Sequence, residues 1–495
     1  MQSVRIETVI DRETAERASH ETLFFNPTNG GSVEFSGFSS ALANPRSSAC
    51  LIADPQSGAL GVGMHGTFST QPCGGPSYRV RGLLPAMYPE WLGDRSFLGV
   101  HKVRFPMAAG EMATGIATAE MVVAAAQAGI LGFFGAAGLA PQNIEKAIVE
   151  IASHLDGQSQ SWGTNLIHSP YDPGLEDKLV DLYLRHGVER ISASAFMSMA
   201  PAIVRFSASG LTLDSSQKIV RRRHVFAKLS RPEVAEHFLS PAPTQILDQL
   251  LHAGKITREE GQLAARVPVA EDITVEADSG GHTDNRPLVS LLPVILAQRD
   301  ALAARFGYTR PVRVGAAGGL GTPGAVAAAF SLGAAYVLTG SVNQSAVEAG
   351  TSALVKEMLA EAQLPDVTMA PAADMFELGV KVQVLKRGTM FASRANALYE
   401  AYVENPSLEA IPPPFARQLQ ETILRASFDD IWKECVRFWS QREPLQVTRA
   451  EADPKHRMAL VFRWYLGNGS QWAKAGVADL PPFSQPFITG VSQLC

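Results

Sequence analysis

Apolar and β-prone residues recur along the middle of the chain in short runs. Most of these runs end in small residues, the pattern of strands buried on both faces where they enter loops. Eight lie between residues 100 and 345: Val103–Met107, Leu131–Gly135, Trp162–Ile167, Arg190–Phe196, His224–Leu229, Ile273–Ala277, Val312–Ala316 and Tyr336–Thr339. Between several of them the apolar positions switch to helical spacing, as at Ile144, Ala147, Ile148 and Ile151 after Pro141, and at Leu175, Leu179, Leu182 and Tyr183 after Pro173. Gly129, Gly157, Gly187, Gly307 and Gly333 fall where helices should stop, and Pro141, Pro173 and Pro323 where they should begin.

This alternation predicts parallel β/α units, and eight of them within about 245 residues predict a TIM (β/α)8 barrel over residues 101–345; a doubly wound sheet is the alternative. The widest gap, between the fifth and sixth strands, holds an insertion over 232–270. Its Ile246, Leu247, Leu250 and Leu251 predict short helices that form a lid, a docking surface or a mere decoration. Residues 1–100, rich in Gly, Ser and Pro, read as an extension of irregular structure with short strands that packs on the barrel. Residues 346–495 read as a helical extension from about Asp374 onward, broken at Pro412–Pro414, that caps the barrel or forms an interface.

Composition narrows the classes. A formal net charge of −5 leaves no basic surplus for nucleic-acid phosphates or anionic lipid. Cys50, Cys73, Cys435 and Cys495 are far apart and form no C-x-x-C pair, so neither a disulfide framework nor a zinc site is expected, and a reducing cytoplasm fits. Charges at Arg5, Glu7, Asp11, Arg12, Glu13, Glu16 and Arg17 interrupt any apolar stretch of a secretory signal. Met121–Ala140 has the length of a membrane span, but Gly129 splits it, and a helix end followed by a buried strand explains it better. His65, His101, His168 and His224 show no metal-ligand spacing.

The seventh run leads into Gly318-Gly319-Leu-Gly321-Thr-Pro-Gly324, a formal G-x-G-x-x-G. A dinucleotide fold would need an acidic residue about 20 positions on, where Thr339-Gly340-Ser341 stands instead. In a barrel the loops after strands seven and eight bind phosphate, which makes Gly318, Gly319, Gly340 and Ser341 the candidate ligands. Three further strand ends carry polar chemistry. Pro106-Met107 is followed by small residues that leave room for a flat ring, and Asn165 offers an amide to a heterocycle edge. Glu276-Ala-Asp278-Ser-Gly280-Gly281-His282 gathers carboxylates, glycines and an imidazole, with Glu276 a hydrogen-bond acceptor and His282 the acid or carbonyl contact.

Together these motifs resemble the nitronate monooxygenase and FMN-dependent enoyl reductase superfamily. Within it, Ile273–Pro287 and Phe462–Gly467 resemble the hallmark block and C-terminal signature of the PfaD family of polyunsaturated fatty acid and polyketide synthesis. The resemblance implies FMN, with Asn165 and Glu276 near its ring system, Gly281, Gly318, Gly319, Gly340 and Ser341 near its phosphate, and His282 beside its reactive face. It also implies NADPH or NADH as reductant, an enoyl thioester on an acyl carrier protein as substrate, and His282 or solvent as proton source. A nitronate monooxygenase and a non-catalytic flavin-binding partner of a synthase complex are the alternatives, and a homodimer is left open.

Overall fold

The computed structural model describes residues 4–5, 22–35, 39–155, 161–169, 173–281 and 283–476. Gly157, His282 and, apart from Arg5, the charged residues noted near the start of the chain lie outside the described residues. The chain divides into two units, Met1–Leu92 and Gly93–Cys495.

In the first unit, Val4–Arg5, Phe24–Glu34, Ala49–Ala53, Leu60–Ser69 and Tyr78–Leu84 form one antiparallel sheet. It is more regular than the expected irregular extension. The β signal of Leu60–Ser69 is diluted by glycines that make room for an aromatic ring: a Cβ on Gly63 or Gly66 would stand 2.4 or 2.3 Å from the Phe25 ring.

The second unit is built on the expected barrel. Strands β1 (Met107–Ala109), β2 (Leu131–Phe134), β3 (Trp162–Ile167), β4 (Arg190–Ser194), β5 (His224–Leu229), β6 (Asp272–Glu276), β7 (Arg313–Ala317) and β8 (Val337–Thr339) pair in chain order and close on themselves, each pairing parallel. Helices α1 (Ala119–Gln127), α2 (Pro141–Leu155), α3 (Pro173–Arg185) and α4 (Pro201–Ala208) follow the first four strands. The membrane-length stretch is thus the end of α1 followed by β2, and no helix among the described residues is long and apolar enough to cross a membrane.

β1 begins four residues later than the sequence pattern predicts. Val103 and Phe105 belong to a turn: the Val103 N–H donates to the Leu98 carbonyl, and those of Arg104 and Phe105 both donate to that of Gly129. Pro106 has no N–H for a ladder, so pairing starts only after it, with small residues that carry little strand signal.

Side chains at alternate positions of β4 to β7 point into the barrel and stack in layers. The lowest, at the strand starts, is ionic: Arg190, His224, Asp272 and Arg313, all buried. Arg313 donates to both Asp272 oxygens (Nε 2.6 Å, Nη2 2.8 Å), and Nε2 of His101, from the helix Arg95–His101, lies 3.2 Å from Asp272. Burial raises the Asp272 carboxyl, but Arg313 and His101 more than offset it and hold the group well below the usual range. Burial pushes His224 well below 6.5, reinforced by His101, and also lowers His101. His101, His224 and Asp272 thus form a tight triad, but Arg313 occupies both carboxylate oxygens, so it reads as a plug rather than a metal site. The middle layer is aromatic, with Phe226 and Tyr336 beside Phe97 and Phe133, and the Tyr336 hydroxyl 2.7 Å from that of Thr274. The uppermost layer, Ser194, Lys228, Glu276 and Ala317, lies at the mouth.

The insertion after β5 forms α5 (Pro232–Leu239), α6 (Thr244–His252) and α7 (Arg258–Ala264). Val234, Phe238, Leu247, Leu250 and Leu263 join the main hydrophobic core. After α8 (Leu288–Phe306) and α9 (Pro323–Ser331), the chain forms an antiparallel hairpin, β9 (Val367–Pro371) and β10 (Lys381–Leu385), where helix was expected from Asp374. Its longest later helices are α10 (Phe391–Glu404), α11 (Phe428–Arg442) and α12 (Pro454–Ala475). These pack with the hairpin around a second core that includes Phe376, Phe391, Leu419, Met458, Phe462 and Tyr465.

Candidate active site at the barrel mouth

A cavity of about 640 Å³ opens at the C-terminal ends of the barrel strands, within the range typical of small-molecule sites. Its floor is barrel: Glu111, Asn165, Ser194, Lys228, Glu276 and Gly281. Its far wall is the C-terminal helical layer, so the cap is supplied by residues beyond 370; the insertion over 232–270 contributes none of the lining. Lys474 of α12 donates through Nζ to the Thr114 carbonyl, and Gln383 of β10 donates to Asp278 at 2.7 Å, joining the layer to the loops after β1 and β6.

The floor is one connected polar network. Lys228 Nζ lies 3.1 Å from Glu111 Oε1 and 3.3 Å from Glu276 Oε1. Ser192 and Ser194 donate to Glu111 at 2.9 and 2.7 Å. Asn165 Nδ2 donates to Ser194 Oγ and to the Ser192 carbonyl, each at 3.0 Å. Those two bonds use the amide's donors, leaving Oδ1 as the acceptor for a group in the cavity. Ser279 donates to Glu276 Oε1 at 3.2 Å. Lys228, Glu111 and Glu276 have side-chain exposures of 8, 5 and 10%, so this is an ammonium held between two largely dehydrated carboxylates, a costly arrangement when any member lacks its partners.

The mouth is also strained. Thr114 and Ala195, both in the lining, have φ of 57° and 62°. Side-chain-bearing residues rarely adopt that region, a β-branched one least of all, and such strain of about 1–3 kcal/mol gathers at functional sites.

The structure brings Asn165, Glu276 and Gly281 into the cavity, and Gly280 is buried beside them. His282 follows directly but lies outside the described residues. Gly318 and Gly319 follow β7, and Gly340 and Ser341 follow β8, so pairing of these two strands sets the loops side by side, away from the cavity lining. Gly318 has φ +88° and would press a Cβ within 2.9 Å of the Ala277 carbonyl, whereas a Cβ on Gly319, φ +70°, would meet no atom within 4 Å. The loop therefore requires glycine at the first position and presents open space at the second. The helix α9 begins just beyond, capped by Thr322 accepting from the Ala325 N–H.

Pro106 precedes β1 and Met107 begins it, and neither is among the residues lining the cavity. The residue that β1 delivers to the floor is Glu111. Sequence reasoning misses it because the apolar pattern sets the first strand too early, and misses Lys228 because a lysine at a strand end reads as solvated. The available signal is that Lys228 is the only charged residue of His224–Leu229, a run otherwise fit for full burial.

The family model for the inserted helical domain of [acyl-carrier-protein] S-malonyltransferase matches residues 405–480. A polyunsaturated fatty acid synthase subunit of Thraustochytrium is 48% identical over 392 residues, 78% of this chain and 26% of that protein. Polyketide biosynthesis protein PksE of Bacillus subtilis is 44% identical over 387 residues, 78% of this chain and 50% of PksE. The chain therefore spans half or less of the length of these curated relatives. Among solved structures, the enoyl reductase domain of MlnA, from the macrolactin biosynthesis cluster of Bacillus amyloliquefaciens, aligns with a TM-score of 0.77 and 37% identity, covering 82% of this chain and 90% of that domain.

Proposed function

This chain belongs to the PfaD family of enoyl reductases of polyunsaturated fatty acid and polyketide synthesis, and from that premise we propose that its barrel mouth binds FMN and reduces the α,β double bond of an enoyl thioester carried on an acyl carrier protein, with NADPH or NADH as reductant. The observation that carries the reading is the buried Glu111–Lys228–Glu276 bridge on the floor of a cavity roofed by a separate helical layer. The floor offers a cation, an acceptor amide oxygen and two anchored carboxylates within one dry surface, the means to orient a polar heterocycle and a thioester carbonyl.

The residues present fit FMN. The open space before Gly319, the adjoining Gly340-Ser341 loop and the N-terminus of α9 suit a phosphate monoester. Asn165 Oδ1 and Lys228 Nζ suit the hydrogen-bonding edge of a flat ring. When bound, FMN supplies the hydride that a nicotinamide delivers to it and an enoyl β-carbon accepts. Lys228 Nζ holds a positive charge and a proton at the floor. Glu276, fixed by Lys228 and Ser279, keeps that ammonium in place from one side, as Glu111, fixed by Ser192 and Ser194, does from the other. The helical layer covers the floor from above. His282 is assigned the proton delivered toward the α-carbon. The roof favours this reading over a nitronate monooxygenase, because a small nitronate has no use for an extended apolar wall.

Anaerobic stopped-flow absorbance tests the proposal. The purified protein is reduced with NADPH and mixed with crotonyl-acyl carrier protein; rapid flavin reoxidation with formation of the saturated thioester supports it. A flavin that stays reduced with the enoyl thioester but reoxidises with nitronate and oxygen overturns the reductase reading, and a colourless protein that takes up no FMN overturns the site.

A further inference from the structure

The cavity's far wall differs in kind from its floor. Val382, Phe391, Cys435 and Leu466 all line it and all belong to the second hydrophobic core, each no more than 3% exposed. Leu460, 1% exposed, continues this backing, and the accessible apolar side chains of the wall are Phe438, Trp439 and Trp464. Burial pushes the Cys435 thiol up to about 12, so in this wall it behaves as a small apolar group rather than a nucleophile. Toward the rim the lining turns polar and exposed, with Glu434, Arg442 and Gln471.

Gly467 lies within α12, where glycine costs about 1 kcal/mol relative to alanine. It lines the cavity, and a Cβ there would meet no atom within 4 Å. Neither backbone conformation nor packing explains it, since its φ is not positive and nothing crowds it. The position is exposed, so what its missing side chain provides is room along the cavity lining, beside Leu466.

We infer that this wall is the seat of the substrate's alkyl tail, and that Gly467 sets how long a tail fits. The inference rests on the enoyl thioester reading of the floor. A ligand with a polar reacting end and an apolar tail matches the division of the cavity: the thioester lies toward the polar barrel floor, and the tail lies along Phe438, Trp439 and Trp464, the accessible apolar side chains of the lining. The chain would then select extended acyl groups over short ones. Each methylene moved from water onto such a wall raises kcat/KM about fourfold, from the ~0.8 kcal/mol gained per buried CH₂.

The test uses the FMN-loaded full chain and thioesters of N-acetylcysteamine. For the unmodified protein, kcat/KM with NADPH is expected to rise from crotonyl to octenoyl to dodecenoyl. For Gly467→Leu, which adds a side chain into open space at a helical position, the ratio of dodecenoyl to crotonyl kcat/KM is expected to fall at least tenfold, the equivalent of about two excluded methylenes. Binding of saturated dodecanoyl thioester, followed through the fluorescence of the lining residues Trp439 and Trp464, should weaken in parallel. A flat chain-length series, or a ratio unchanged by Gly467→Leu, overturns the inference while leaving the reductase reading intact. If no enoyl thioester is reduced, the reductase reading fails, and the binding measurement still decides the wall: dodecanoyl affinity that drops in Gly467→Leu supports it, and affinity equal in the two proteins overturns it.

Discussion

Replacing Lys228 by methionine keeps most of the side chain's volume but removes the ammonium from between Glu111 and Glu276. In the unmodified protein Nζ sits 3.1 and 3.3 Å from the two carboxylates, and all three side chains are at most 10% exposed. At an effective dielectric near 20, each contact represents roughly 5 kcal/mol of gross attraction, most of it offset by dehydration of the partners. Without the cation the dehydration cost remains and the two carboxylates face each other. Removing one partner of a buried ion pair costs about 3–5 kcal/mol. The serine hydroxyls that still donate to Glu111 and Glu276 place the expectation near the lower end, about 3 kcal/mol. The measurement is urea unfolding of the flavin-free protein by circular dichroism, so that cofactor binding does not enter the difference. Adding Glu111→Gln to Lys228→Met should recover part of the deficit, because it removes one of the two facing charges. A deficit below about 1 kcal/mol, or one that Glu111→Gln does not reduce, would refute the picture of a cation neutralising two dehydrated carboxylates.

Other expectations follow from the same structure. His101 and His224 are held below their ordinary values chiefly by burial; the unfolded chain therefore takes up protons below about pH 6.5 that the native barrel refuses, and stability falls with acid by up to about 1.4 kcal/mol per pH unit for each imidazole. Thermal unfolding between about pH 7.5 and 5.5 should show His224→Phe with roughly half that acid sensitivity, and an unchanged slope would contradict it. Gly319→Ala puts a side chain at φ +70° in the open space assigned to phosphate; bound flavin after gel filtration should drop by tenfold or more with little change in unfolding midpoint beyond the ~1–2 kcal/mol of backbone strain. His282→Ala should retain FMN and be reduced by NADPH at a near-normal rate while reoxidation by crotonyl-acyl carrier protein slows by about 10²-fold or more; unimpaired reoxidation would assign the proton to solvent.

The barrel was legible because several of its units announce themselves twice, through an apolar run and through punctuation. Pro141, Pro173 and Pro323 open helices, and Gly129, Gly187, Gly307 and Gly333 all have positive φ where helices end. What was not legible has physical causes. The first strand is made of small residues behind a proline, and its misplacement hid Glu111. The glycines of Leu60–Ser69 serve the Phe25 ring and so dilute a strand of ten residues. The β9–β10 hairpin lies inside a stretch whose flanks are helical. The floor network depends on residues far apart in sequence, such as Glu111, Ser192 and Lys228, whose relation exists only once the barrel closes.

That the cavity's floor lies between residues 111 and 281 while its far wall lies beyond 370 bears on the order in which the site comes into being. During synthesis from the N-terminus the floor is translated first, and a barrel can bring Lys228 to Glu111 while α11 and α12 are still within the ribosome. For that interval the mouth faces water, and the helices that will cover it bring their own core with them. On the proposed function, cofactor capture and substrate selection would thereby be separated in time: the nascent barrel would be loaded through a mouth with no roof, and discrimination among substrates would begin only when α11 and α12 dock.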